Sequence, residues 1–175
     1  MTSRGPVLIL VGPPGSGKST IGRLVADRLG VEFRDFDDEM TLVHGKPAGE
    51  LVLSFGRERF AELERELLER VLPEHGGVLA LGGGTPTAPG VPALLEGFHV
   101  VFLDVDLGQL LKREGLVSLH PWLLPNPRAH LRDLLEQRRP VYESVADAVV
   151  RTSERTPDEV LADVLATLPE HQRRT

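Results

Sequence analysis

The chain has 175 residues, of which 41% are hydrophobic and 26% are charged, as is typical of one soluble globular domain with a single core. Its formal net charge is -6, with acidic and basic residues interleaved, so no basic surface for nucleic acid or an anionic membrane is expected. The absence of cysteine excludes disulfides and a thiolate nucleophile, and no apolar run approaches the ~20 residues that span a bilayer.

The first predicted element is a buried parallel strand at 7–11, Val-Leu-Ile-Leu-Val. It begins too close to the start of the sequence to leave room for a secretory signal, and we expect a cytoplasmic monomer. Residues 12–20, Gly-Pro-Pro-Gly-Ser-Gly-Lys-Ser-Thr, match the phosphate-binding pattern G-x-x-x-x-G-K-[ST] at every fixed position. A helix is predicted directly afterwards by an apolar stripe at Ile21, Leu24, Val25 and Leu29.

This order of strand, glycine-rich loop and helix is the context in which the motif binds a nucleoside triphosphate. Glycines let consecutive backbone N–H groups point at a phosphate, and the N-terminus of the helix adds partial positive charge. Lys18 is expected to reach the β- and γ-phosphates, and the Ser19 hydroxyl to bind Mg²⁺. The predicted nucleotide-binding residues of the loop are Gly12, Gly15, Ser16, Gly17, Lys18, Ser19 and Thr20.

Two carboxylates follow the second predicted strand, which starts at 31–33 and continues into 34–38. Strand alternation would place Asp35 and Asp37 on one side and Phe36 on the other, at the sheet edge where ligands bind. One carboxylate could then hold Mg²⁺ through water while the other accepts a hydroxyl proton. The acidic run also fits the N-terminus of a following helix, and the two interpretations are compatible.

A helical insertion is predicted between the second and third strands, over about 38–72. It contains short helical pieces interrupted at 45–47 and a longer helix over 57–71, and we expect it to bind the acceptor. A third strand at 78–81 leads into Gly82, Gly83 and Gly84, which permit close backbone approach to a ligand.

The rest of the sequence continues the alternation of strands and helices, which indicates a three-layer α/β fold with a parallel sheet. Residues 115–127 contain three prolines and no sustained period, and are predicted to be a loop that serves as a lid. The remaining predicted elements are helices at 91–95, 107–113 and 128–139, strands at 99–105 and 148–151, and a closing helix that starts at 156–159.

Several of these motifs, in this order, resemble the shikimate kinase family. They are the glycine-rich loop, Asp-Phe-Asp at 35–37, Leu-Gly-Gly-Gly at 81–84, Arg-Arg-Pro-Val-Tyr at 138–142 and Arg-Thr-Pro at 155–157. The resemblance covers about 7–168. It implies a nucleoside monophosphate kinase-like P-loop fold with a five-stranded parallel sheet, MgATP as donor, and a small hydroxylated acceptor, shikimate, converted to shikimate 3-phosphate.

The resemblance also implies roles for individual residues. Asp35 would serve Mg²⁺, Asp37 would lie at the acceptor hydroxyl as base or orienting group, and Arg138 would bind the acceptor carboxylate. The glycines at 82–84 would line the acceptor pocket. The residues implied to flank the adenine are Arg113, Arg155 and Pro157, and the predicted catalytic set is Lys18, Asp37 and Arg138.

Two positions depart from the family pattern. Ala61 stands where the family has an arginine that binds the shikimate carboxylate, and His120 stands where the lid has an arginine that reaches the transferring phosphate. A lost arginine–carboxylate contact costs ~2–5 kcal/mol in a desolvated pocket. Arg57 lies four residues before Ala61, on the same helix face. It is a candidate to compensate, or else a solvated arginine on an exposed face.

Two other functions remain compatible with the sequence. The first is a related kinase that phosphorylates a different polyol, cyclitol or amino acid, as Ala61 and His120 would allow. The second is a nucleotide-binding protein that no longer transfers phosphate. Joint retention of Lys18, Ser19, Asp35 and Asp37 argues against the second, since a protein without catalysis has no chemical need for all four.

Overall fold

A five-stranded parallel sheet forms the centre of the molecule in the computed structural model, which describes residues 5–174. The strands are β1 (Leu8–Val11), β2 (Phe33–Asp35), β3 (Val78–Ala80), β4 (Val100–Asp104) and β5 (Ala148–Arg151), in the spatial order β2-β3-β1-β4-β5. Register pairs Ile9 of β1 with Leu79 of β3 and Val100 of β4. The predicted α/β class and the five parallel strands are confirmed.

Helices cover both faces of this sheet. They are α1 (Lys18–Leu29), α2 (Phe36–His44), α3 (Ala48–Glu74), α4 (Val91–Leu95), α5 (Leu107–Leu111), α6 (Leu116–Leu119), α7 (Pro127–Val145), α8 (Pro157–Thr167) and α9 (Glu170–Arg173). Within the described residues, none of them is long and apolar enough to cross a membrane.

Alternate residues of the central strand feed two separate cores. Ile9 and Val11 pack into a cluster with apolar residues of α2, α3 and α4, whereas Leu8 and Leu10 pack with those of α1 and α8. This is the period-two pattern of a strand buried on both faces. The predicted three layers are therefore present.

The second strand ends earlier than predicted. β2 stops at Asp35, and Phe36 already belongs to α2, where its side chain is fully buried. Asp35 caps the helix, because its Oδ1 accepts a hydrogen bond from the Asp37 N–H at 3.0 Å. The prediction that Asp35 and Asp37 lie together in an extended strand is wrong, whereas the prediction of an acidic helix start is confirmed.

Two helices also differ from the prediction. α7 runs through Pro140 instead of ending there. Pro140 lies on the solvent side of the helix, and Tyr142, two residues further on, is fully buried. Water can serve the carbonyl that loses its hydrogen bond, while packing of Tyr142 holds the helix together. In α3, Gly56 has φ 80° and ψ 164°, which joins two helical segments at a kink.

The segment over 115–127 is more ordered than the predicted loop. It contains α6 and a 3-10 turn at Pro121–Leu123, and both pieces bury a leucine. Leu116 and Leu123 pack with Leu131 and Leu135 of α7 in a third apolar cluster. The sequence shows no helical period of apolar residues here because each element is only about one turn long.

Candidate active site

The glycine-rich loop leaves β1 and enters α1 as the motif predicted. Gly12, Gly15 and Gly17 all have positive φ, and Gly17 is the residue immediately before the helix. This backbone conformation, which favours glycine, lets the loop curl in front of the N-terminus of α1. The first N–H groups of that helix have no partner within the helix. The loop therefore has the form that binds phosphate oxygens.

Lys18 is held inside this loop. Its Nζ donates hydrogen bonds to the carbonyl oxygens of Gly12 at 2.8 Å and Pro13 at 2.9 Å. Burial lowers the pKa of Lys18 to about 8, against the opposing charges of Asp37 and Asp35. The ammonium group is thus charged at neutral pH and positioned at the rim of the loop.

Ser19 and Asp35 meet beside it. The Ser19 hydroxyl donates to Oδ2 of Asp35, while Oδ1 of the same carboxylate caps α2. Mg²⁺ favours oxygen ligands, keeps several of its waters, and in kinases takes one or two protein oxygens together with phosphate oxygens. A hydroxyl and a carboxylate in contact fit that ion. Across 5–174, no cluster of three or more His, Asp or Glu side chains offers an alternative site built from protein alone.

Asp37 projects from the first turn of α2 into a cavity of about 810 Å³. The residue lines this cavity and is exposed to solvent. The surrounding protein and the charge of Asp35 raise the pKa of Asp37 to about 6, while Lys18 opposes the shift. A carboxylate with this pKa is ionised at neutral pH and can still accept a proton.

Gly82, Gly83 and Gly84 form one wall of the cavity, where side chains would collide with neighbouring atoms. A Cβ on Gly82 would lie 2.6 Å from Oδ1 of Asp37, and one on Gly84 would lie 3.0 Å from Nη2 of Arg138. Tyr142 fixes this wall from below, because its hydroxyl donates to the Gly83 carbonyl oxygen at 2.5 Å. The glycines therefore bring Asp37 and Arg138 close to the same backbone.

The opposite wall comes from one face of α3. Arg57, Phe60, Ala61 and Glu64 all line the cavity, as their spacing over two helical turns requires. Arg57 lies at the exposed end of this face, and Glu64 at its buried end. Ala61 places no charge between them.

Glu64 is a site residue that the sequence analysis missed. It is 4% exposed, and its Oε1 accepts a hydrogen bond from the Thr85 hydroxyl at 2.7 Å. Burial raises the pKa of Glu64 to about 7, an effect that the hydrogen bond from Thr85 opposes. The available signal was a glutamate inside the apolar stripe of α3, between Leu63 and Leu67.

The lid segment supplies a third wall through His120 and Trp122. Nδ1 of His120 lies 2.9 Å from the carbonyl oxygen of Leu116, and the ring meets Trp122 edge-on with centroids 5.9 Å apart. Burial and the positive charges of Lys18 and Arg138 lower the pKa of His120. The imidazole is therefore neutral at neutral pH in this structure.

The three residues expected to flank adenine do not line this cavity. Arg113 is next to the glycine-rich loop, since its Cγ lies 3.7 Å from where a Cβ on Gly15 would be. Arg155 is engaged on α8: it pairs with Asp163 at 2.7 Å and donates to the Glu159 carbonyl oxygen at 3.3 Å. Pro157 is the first residue of α8. Their role in binding a base stays a prediction.

Comparisons with known proteins agree on one family. The sequence model described as Shikimate kinase matches residues 14–169. The chain is 48% identical over 163 residues to the shikimate kinase of Salinispora arenicola, covering 93% of this chain and 98% of that protein. It is 46% identical over 155 residues to the shikimate kinase of Streptomyces coelicolor, covering 89% and 91%.

Solved structures agree with the sequences. A structure of shikimate kinase from Acinetobacter baumannii in complex with shikimate has a TM-score of 0.86 and 31% identity, with 94% of this chain and 92% of that chain covered. A gluconokinase from Sinorhizobium meliloti, at 17% identity and a TM-score of 0.56, shares the fold, with 93% and 91% covered.

Proposed function

This chain belongs to the shikimate kinase family, and from that membership we propose that it transfers the terminal phosphoryl group of ATP to a hydroxyl group of shikimate, giving shikimate 3-phosphate and ADP. The observation that carries the proposal is a single cavity in which Asp37 and Arg138 lie beside the loop that holds Lys18. A phosphate-binding loop alone would support nucleotide binding only.

Asp37 is the group that receives the acceptor proton. In the transfer, the acceptor oxygen forms a bond to the γ-phosphorus while the bond from that phosphorus to the β,γ-bridging oxygen breaks. The hydroxyl proton passes to the Asp37 carboxylate and from there to solvent. A pKa of about 6 for Asp37 leaves the carboxylate ionised before the transfer at neutral pH.

Lys18 and the pair Ser19–Asp35 handle the charge of the phosphates. Lys18 leaves its carbonyl partners in the loop for the phosphate oxygens, where its positive charge stabilises the charge that accumulates on the leaving group. Ser19 and Asp35 would hold Mg²⁺, which supplies a Lewis acid that neutralises phosphate charge when bound. Contact between hydroxyl and carboxylate supports this assignment.

Arg138 and Arg57 are proposed to recognise the acceptor carboxylate from opposite walls. Arg138 extends along the glycine wall, and Arg57 lines the cavity at the open end of α3. Other arginines of this helix are differently engaged: Arg59 pairs with Glu62 at 2.7 Å and with Glu66 at 3.2 Å. With a small side chain at 61, the arginine one turn before it has space to lean into the cavity.

The insertion and the lid are proposed to have separate tasks in a single-domain monomer. Residues 38–72 would carry the acceptor, and residues 115–127 would close over the phosphates to exclude water. Support comes from the cavity, which has walls from both segments.

Arg57→Ala is expected to raise the KM for shikimate about tenfold, the loss of ~1.4 kcal/mol that suits a partly solvated ion pair. The KM for ATP and the value of kcat should change little, because the lost contact is made equally in ground and transition states. Steady-state kinetics with a coupled assay for ADP measures all three.

Arg59→Ala is the matched control, since that arginine lies on the same helix and pairs outside the cavity. Arg57→Ala/Ala61→Arg, which moves the charge by one helical turn, should restore the affinity. An unchanged KM in Arg57→Ala would remove Arg57 from the acceptor site and leave it a solvated surface residue.

The assay that tests the function itself is ADP release by the unmodified protein with MgATP and shikimate. Turnover in the range of about 1–10³ s⁻¹ is expected. No turnover with shikimate, together with ATP binding and turnover on an uncharged cyclitol or sugar, would select the related kinase with a different acceptor, which the apolar Ala61 in the wall favours. Binding of ATP without turnover on any of them would select the non-catalytic alternative.

A further inference from the structure

The unassigned feature of the cavity is the His120 imidazole, which occupies the lid wall at the meeting point of the acceptor cavity and the phosphate loop. It lines the same cavity as Asp37 and Arg138, and the charge of Lys18 acts on it from the loop. A titratable group at this point faces the place where the phosphoryl group passes from donor to acceptor.

The hydrogen bond of His120 fixes which nitrogen can respond. Nδ1 lies 2.9 Å from the carbonyl oxygen of Leu116, and a carbonyl can only accept, so Nδ1 carries the hydrogen. In the neutral ring Nε2 then has a lone pair and no hydrogen. Protonation adds a hydrogen at Nε2 alone and leaves the bond to Leu116 intact, so the ring needs no rotation to become a donor.

The charges around the ring explain its neutral state. Burial lowers the pKa of His120 most, the hydrogen bond to the Leu116 carbonyl oxygen opposes this, and the charges of Lys18 of α1 and Arg138 of α7 lower the pKa further. Other titratable groups that line the cavity are Asp35 at the end of β2, Asp37 and Asp38 on α2, Arg57 and Glu64 on α3, and His130 and Asp133 on α7. Trp122, in contact with the ring edge, is uncharged.

A triphosphate reverses this balance. Its negative charge offsets the positive charge of Lys18 and provides an acceptor for a new hydrogen on Nε2, and each effect favours the imidazolium form. We propose that binding of a nucleoside triphosphate is coupled to uptake of one solvent proton by His120, whose Nε2–H then donates to the terminal phosphate. His120 is by this inference a catalytic residue that is charged only in the nucleotide complex.

The inference rests on the proposed function to the extent that a nucleotide occupies the loop. The titration of His120 is measured by NMR on protein with ¹⁵N-labelled histidine, first alone and then with Mg²⁺ and a non-hydrolysable ATP analogue. His120→Gln identifies the resonances by their loss. In the protein alone, the neutral ring should show hydrogen on Nδ1 and none on Nε2.

The nucleotide is expected to raise the pKa of His120 by about one unit or more, the usual effect of an opposite charge at contact distance. His130 is the internal control, because it lines the same cavity and its Nδ1 lies 2.6 Å from the Leu123 carbonyl oxygen. It should shift less. An unchanged or lowered pKa of His120, or an equal shift of His130, would overturn the assignment.

Proton uptake is measured independently by calorimetry of nucleotide binding in buffers of different ionisation enthalpy. Uptake by the wild-type protein should exceed that of His120→Gln near pH 7, and equal uptake would overturn the inference. In kinetics, kcat should fall as pH rises through the pKa of the nucleotide-bound form, and His120→Arg should remove that fall.

These outcomes separate the inference from the function on which it rests. Turnover of shikimate with an unchanged pKa for His120 would refute proton uptake alone. A raised pKa without turnover of shikimate would refute the acceptor assignment alone. If neither ATP nor the analogue binds, the kinase function and the proton uptake are refuted together.

Discussion

At the scale of the residue, Asp37, proposed above as the group that accepts the proton, is expected to set the acid limb of the pH–activity profile. Its pKa of about 6 lies above the ordinary value of 3.8, so the base becomes protonated as pH falls through about 6. We expect kcat/KM for shikimate to fall on the acid side with this pKa, since that ratio reports the free enzyme. Asp37→Asn should lower kcat by about 10²–10⁴.

Asp38→Asn is the control for that experiment, because Asp38 is the neighbouring carboxylate in the same helical turn. It should keep most of the activity. A full rate in Asp37→Asn, or an acid limb that persists in its residual activity, would show that another group accepts the proton.

Glu64 gives a prediction about stability. Its pKa is about 7 in the folded protein against an ordinary value of 4.5, so the folded state binds more protons than the unfolded state between these values. The free energy of unfolding therefore falls as pH rises from about 4.5 to 7. At pH 8 the difference amounts to on the order of 3 kcal/mol, from 1.36 kcal/mol per unit.

Glu64→Gln keeps the acceptor for the Thr85 hydroxyl and removes the charge. This variant is expected to be more stable than the wild type at pH 8 and equal to it at pH 4, by urea denaturation at both pH values. Thr85→Val, which removes the donor instead, should destabilise the protein at both pH values. Equal stability of Glu64→Gln and wild type at pH 8 would mean that Glu64 ionises without cost.

The residue scale also shows the limits of sequence analysis. Lys18, Ser19 and Asp35 were placed from the sequence because a loop, its helix and the end of the neighbouring strand are local features that a motif records. The cavity positions of Glu64 and His120 depend on the approach of α3 and the lid to the sheet, which no local pattern encodes. Around Asp37 the sequence predicted the acidic helix start correctly, and only the extension of the strand beyond Asp35 was wrong.

At the scale of the element, the kink in α3 aims its cavity-lining face. Gly56 has φ 80° and ψ 164°, a conformation that is essentially restricted to glycine. A Cβ at this position would meet no atom within 4 Å, so the cost of a side chain is backbone strain alone. Gly56→Ala should destabilise the protein by about 1–3 kcal/mol and raise the KM for shikimate by displacing the segment that starts at Arg57.

Gly49→Ala is the control that distinguishes backbone strain at the kink from the general effect of replacing glycine by alanine in α3. Gly49 lies in the first segment of α3, also without an atom within 4 Å of an added Cβ. Alanine there should stabilise the protein by about 0.4–1 kcal/mol, because it can adopt the helical backbone at this position and lowers the conformational entropy of the unfolded chain. Urea denaturation of the two variants measures the difference, and equal effects would mean that the kink can be made by any residue.

Helix α7 shows why element ends were the weakest part of the sequence prediction. A proline normally marks a helix end, and Pro140 was used in that way. The buried Tyr142, with its bond to Gly83, outweighs the local signal. Alternation of strands and helices, which is a property of the whole chain, predicted the fold correctly in spite of such local errors.

At the scale of the whole molecule, the proposed closure of residues 115–127 can be followed by the fluorescence of a residue within that segment. Trp122, the one tryptophan in the sequence, is 38% exposed at the cavity wall. Saturating MgATP analogue should shift its emission to shorter wavelength as the lid packs and water leaves. Trp122→Phe is the control for other signals. An unchanged spectrum, with binding shown by a raised Tm, would contradict closure at this position.

The Asp35 carboxylate caps α2 with one oxygen and contacts Ser19 with the other. Oδ1 of Asp35 is occupied by the backbone of α2, and Oδ2 by the hydroxyl of Ser19. A Mg²⁺ ion held at Oδ2 would therefore leave the contact between Oδ1 and the helix start intact, so that Asp37, two residues further on in the first turn of α2, would keep its position. Asparagine at position 35 could still cap α2 but would lack the negative charge that favours Mg²⁺. The Asp35→Asn variant would therefore separate the folding role of this residue from its proposed role in catalysis.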